Sequence, residues 1–121
     1  MAEKAFYDRI GGSYDEAKAR LMSDAFIKRF VLKFRDDKSF SDMREAIKRE
    51  DWEGAFPFAH TLKGVALNLS LKKLSGAAVT LTDALRPENR GALDKDKINE
   101  YLKSVEAEYE AVMNAMPLLE E

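Results

Sequence analysis

The chain has 121 residues, one ordinary domain's worth, with 45% apolar and 35% charged residues, a mix too hydrophobic for a disordered tail. Twenty Lys and Arg against 22 Asp and Glu leave a net charge of −2, which argues against nucleic acid as the main partner, because phosphate binding needs a concentrated cationic surface. With no Cys and one His, the composition excludes a disulfide framework, thiol chemistry and a multi-histidine metal site within one chain.

Taken in order, the breakers fall where helices end, and apolar residues recur at three- and four-residue spacing. Glu3–Ile10 reads as a short helix stopped by Gly11-Gly12. Ser13 is placed to cap a second short helix through Leu21, with Asp15 and Glu16 complementing its dipole. Ser23 caps a third to Arg35, with Phe26, Ile27, Phe30 and Phe34 as its apolar stripe. Ser39 opens a helix to Glu50 that turns Phe40, Met43, Ala46 and Ile47 inward. Asp51 caps a longer one to Leu69, and Ser70 is expected to cap the segment Leu71–Arg86, with Leu71, Leu74, Ala78, Leu81 and Leu85 inside. Pro87 ends that segment and Pro87–Gly91 reads as a loop. Asp94 opens the last helix, with Ile98, Leu102, Val105, Tyr109, Val112 and Met116 inward. Pro117 ends it, and Leu118–Glu121 is expected to fray. The expectation is an all-α, four-helix up-and-down antiparallel bundle forming a single domain over 1–121. Its core covers roughly 23–116, with the short N-terminal helices folded over one end. No apolar run reaches the length of a membrane span, and the N-terminus shows no targeting signal, so a cytoplasmic protein is expected.

The helix around the single His is the informative one. At 100° per residue, Ala55, Phe58, Leu62, Val65, Ala66 and Leu69 share one side as a core stripe, and His60 lies almost opposite. The outer face carries Phe56 and Pro57 one turn before His60, Lys63 and Gly64 one turn after, and Leu67 two turns after. A merely solvated face would carry charged helix formers. An interior Gly costs about 1 kcal/mol against Ala, and the core does not ask for one at this angle. A solvent-facing imidazole is a nucleophile at neutral pH and can accept a phosphoryl group. Lys63 would offset the added charge, and Gly64 would bare the helix for a partner's approach. Phe56 and Leu67 would supply apolar contact. Two other placements stay open: Gly64 as a close helix–helix contact, and Phe56 tucked under the N-terminal short helices. Neither a Ser/His/Asp set nor a glycine-rich phosphate loop is present, so turnover by this chain alone is not expected.

The string Ala59-His-Thr-Leu-Lys-Gly64 resembles the signature of histidine-containing phosphotransfer (HPt) domains. Arg44–Ala55, the Gly11-Gly12 start with Tyr14 and Glu16, the Phe26–Phe34 helix, Asn68-Leu69 and the Leu74…Leu81…Leu85-Arg86 helix extend the likeness over roughly Phe6 to Met116. The resemblance implies His60 as phosphoacceptor, Lys63 as the charge-stabilising residue and Gly64 as the clearance residue, with Phe56, Pro57, Leu67 and Asn68 on the docking surface. It implies receiver domains or a hybrid histidine kinase as partners. The chain itself would bind neither ATP nor cofactor, would borrow Mg²⁺ from the receiver, and would act as a monomer without contact to membrane or nucleic acid. Two departures stand out. Ser70 replaces the Gly usual after Asn-Leu, so a local backbone adjustment is expected. Pro57 is unusual on the His face and is expected to bend the helix or delay its start. The rival from another class is a silent HPt-like adaptor that binds but never carries phosphate. An enzyme with a metal in its bundle would need inward Glu or His ligands, and a coiled coil would need an unbroken heptad.

Overall fold

The computed structural model describes residues 2–120. In order they form α1 (Ala2–Ile10), α2 (Tyr14–Leu21), α3 (Asp24–Phe34), α4 (Ser39–Lys48), α5 (Trp52–Asn68) and α6 (Lys72–Leu85). A 3-10 segment (Pro87–Ala92), α7 (Lys95–Ala115) and α8 (Pro117–Glu120) complete them, and no strand occurs among the described residues. The protein is an all-α bundle. Eight α-helices occur among the described residues: the seven read from the sequence, short N-terminal ones included, and a short α8 after Pro117.

Connections of three residues join α4 to α5 and α5 to α6, so these helices pack as antiparallel neighbours. The next neighbour, α7, lies on α6. The ring of Phe40 stacks on Tyr109 at 3.9 Å between centroids and Arg44 meets Glu106 at 3.7 Å, which ties α4 to α7 and closes the circuit. Leu62, Leu74, Leu81, Leu85, Ile98 and Val105 are fully buried at its centre. The first helix packs on α7 and α8 and also touches α2 and α3.

Local chemistry accounts for most helix starts. Ser13 accepts from the Glu16 amide, Ser23 from Phe26, Asp51 from Gly54 and Asp94 from Asp96 and Lys97. At α4, which opens at Ser39 as expected, the carboxylate of Asp37 accepts from the Ser39 amide at 2.8 Å. One expected cap differs. At α6 the cap position is Leu71, without a side-chain bond, because the Ser70 hydroxyl is engaged elsewhere.

Four further expectations are corrected. The buried line of α3 is Ile27, Val31 and Phe34, while Phe26 and Phe30, one residue and about 100° round from it, are 45% and 39% exposed. On α5 the small residues Ala55, Ala59 and Ala66 join Leu62 against the core. Phe58, roughly 70° off that line, is 36% exposed. Residues Pro87–Ala92 form a 3-10 segment rather than an open loop. The C-terminal residues Leu118 to Glu120 belong to α8, which packs on α1 with Leu119 fully buried; Glu121 lies outside the described residues.

Candidate functional site

The helix α5 positions the site. Its first turn is set by Asp51, whose carboxylate accepts from the Gly54 amide at 2.9 Å. A side chain at Gly54 would run into that carboxylate, so the cap and the glycine come as a pair. Pro57 is exposed and α5 runs through it from Trp52, so the expected late start does not occur. Proline has no amide hydrogen, and the intrahelical bond it cannot make is the one to the carbonyl of Glu53.

His60 is exposed on the outer face, with Lys63 half-buried beside it one turn on. Gly64 is exposed, and a Cβ built there meets nothing within 4 Å. Close helix packing therefore does not explain this glycine. Leu67 is 48% exposed and Asn68, the last residue of α5, is exposed as well. Of the expected docking residues, Pro57, Leu67 and Asn68 thus lie open. Phe56 does not. It is half-buried against the core, its ring centroid is 6.0 Å from that of His60, and the guanidinium carbon of Arg86 stands 5.9 Å from the same ring. The end of α6 thus comes beside it through Arg86.

The C-terminal end of α5 is held from a distance. Arg20 of α2 donates to the carbonyls of Leu67 and Asn68 and to the hydroxyl of Ser70. The buried Tyr7 hydroxyl donates to the Leu69 carbonyl at 2.7 Å, and the Ser13 amide to the Ser70 carbonyl at 3.2 Å. These bonds serve carbonyls that a helix end leaves without intrahelical partners. Ser70 takes φ 56°, the left-handed conformation Gly prefers, so the adjusted backbone expected from its replacement of Gly is a left-handed turn fastened by these bonds. Burial pushes the Tyr7 hydroxyl pKa well above the ordinary tyrosine value, against a smaller opposite pull from Arg20.

Beside this end, Phe30 and Phe34 of α3 and Val65, Asn68 and Leu69 line a groove of about 320 Å³. The exposed Phe26 and Phe30 rings, 6.1 Å apart, lead into it. Sequence periodicity assigned both rings to the core. Arg20 carried no local signal, since its partners lie at the end of α5; Arg86 has a local partner in Asp83, but the Phe56 ring it meets lies in another helix. Among the described residues, no cluster of three or more His, Cys, Asp or Glu could hold a metal ion, and no helix is long and apolar enough to cross a membrane.

A family model for the Hpt domain matches residues 34–115, more than half of the chain and all of α4 through α7. The chain belongs to the Hpt domain family, and with that membership comes histidine phosphotransfer in phosphorelays as its class of activity. No curated protein and no solved structure matches it.

Proposed function

We propose that the chain relays a phosphoryl group between receiver-domain aspartates, or onward from a hybrid histidine kinase, through phosphohistidine at His60. An unprotonated ring nitrogen of the neutral imidazole attacks the phosphorus of the receiver's aspartyl phosphate. The N–P bond forms as the acyl O–P bond breaks, and the carboxylate leaves with the electron pair. The proton on the other ring nitrogen stays on the ring or passes to solvent. Transfer to the next receiver reverses these steps. Lys63 offsets charge on the phosphoryl oxygens, and Gly64 leaves the partner's acidic pocket room to close over the helix. Pro57, Leu67 and Asn68 form the docking surface. The receiver supplies Mg²⁺; this chain, a cytoplasmic monomer, supplies neither nucleotide nor metal and does not turn over alone.

The observation that carries this reading is the open space at Gly64, one turn from an exposed His60 on a helix of an Hpt-family chain. A glycine that weakens its own helix and that no internal neighbour requires points to clearance for something outside. The test is incubation with a phosphorylated receiver domain and Mg²⁺, following label onto this chain. Acid-labile, alkali-stable label that disappears in His60→Gln, with unchanged helicity, supports the relay. No label from receivers that phosphorylate a control Hpt domain leaves the silent adaptor instead.

A further inference from the structure

Between His60 and the end of α6 runs a chain of contacts. The Asp83 carboxylate accepts from Arg86 Nε at 2.9 Å, and the Arg86 amide bonds to the Asp83 carbonyl at 3.3 Å. Beyond the last turn of α6 the backbone at Arg86 is already non-helical (φ −59°, ψ 143°) and Pro87 follows, which leaves the guanidinium anchored at one place beside α5. That guanidinium lies 5.9 Å from the Phe56 ring, and the Phe56 ring 6.0 Å from the imidazole, tilted by 55°. Pro57, the very next residue, is exposed while Phe56 is half-buried, so the ring is part of the wall behind His60 and not a free contact on the docking surface.

We propose that Phe56 and Arg86 are positioning residues for His60. The Asp83–Arg86 pair fixes the Phe56 ring, and the ring restricts the rotamers of the imidazole so that its attacking nitrogen is presented in one direction. This inference rests on the phosphotransfer reading and adds to it a division of labour. Leu67 and the open surface serve affinity for the receiver, whereas Phe56 and Arg86 serve the rate inside the complex.

The experiment uses the full chain, a phosphorylated receiver domain as donor with Mg²⁺, and two readouts. In transfer kinetics, Phe56→Leu and Arg86→Gln are each expected to lower the saturating rate by about tenfold to a hundredfold, the cost of a misplaced reacting group, and to leave the half-saturating receiver concentration unchanged. The double variant is expected to be no slower than the worse single one, because both act through the same ring. Arg86→Lys, which keeps a cation over the ring, is expected to recover part of the loss. Leu67→Ala is expected to do the reverse, raising the half-saturating concentration alone. Independently of any partner, side-chain NMR couplings of His60 are expected to report one dominant rotamer in the wild type and averaging in both variants. Wild-type saturating rates in both variants, or a change confined to half-saturation, overturns the proposal. If the wild-type chain takes no label, the phosphotransfer reading fails, and the rotamer measurement alone decides whether the clamp exists. Should Phe56→Leu lower the melting temperature sharply, Arg86→Gln, whose side chain lies at the surface, carries the comparison.

Discussion

At its N-terminal end α5 is fixed by residues adjacent in sequence. Asp51 reaches the Gly54 amide, and Gly54 is the residue that leaves room for it to do so. At the C-terminal end, Arg20, Tyr7 and Ser13, about fifty residues or more upstream in the chain, supply the donors for the carbonyls of Leu67 to Ser70. The helix that bears His60 is therefore begun by a local rule and ended by tertiary structure. The difference teaches where each end is vulnerable. A change near Asp51 acts on a single turn, while a change in the N-terminal arm loosens several bonds together.

The sharpest way to break this comparison is Tyr7→Ala. It removes a fully buried ring and the bond to Leu69, and is expected to cost about 3–5 kcal/mol of stability, read by urea or thermal unfolding. Tyr7→Phe isolates the hydroxyl and is expected to cost about 1–2 kcal/mol, since it leaves a buried carbonyl short of a donor. The same hydroxyl gives the arm a pH signature. Its folded pKa is raised above the unfolded value of about 10, so the native state keeps its proton where the unfolded state has lost it. That stabilisation is complete below pH about 10 and is lost as pH rises toward the folded value. Tyr7→Phe should flatten the alkaline limb of a stability profile, and an unchanged limb would mean the hydroxyl is not held as described. At the other end, Asp51→Ala is expected to cost only about 1 kcal/mol, and the comparison collapses if it costs more than Tyr7→Ala. Smallest in stability is Gly64→Ala, expected to gain up to about 1 kcal/mol while slowing transfer from a receiver. A variant that is both firmer and fully active would remove the case for clearance.

The same contrast governs how much could be read in advance. The caps at Ser13, Ser23, Asp51 and Asp94 are legible because a cap and its amide lie within three residues. The outward placement of His60 and Gly64 is legible because 100° per residue turns them away from Leu62 and Ala66, with Lys63 on the flank between. Phe26, Phe30 and Phe58 are not, since each sits at the edge of an apolar stripe and only the packing of neighbouring helices decides which edge is covered. Ser70 suits a cap by residue type, but Arg20 takes its hydroxyl and the turn takes its backbone. Phe56 looks like a docking residue until the end of α6 brings Arg86 beside it.

The stretch that matches the family begins at residue 34, whereas Tyr7, Ser13 and Arg20 all come before it. A fragment trimmed to those borders would keep His60, Lys63, Gly64 and Arg86 and still surrender the hydroxyl, amide and guanidinium that finish α5. What related sequences share thus marks a common pattern, while the groups that finish α5 in this chain lie upstream of it, in α1, α2 and the turn between them.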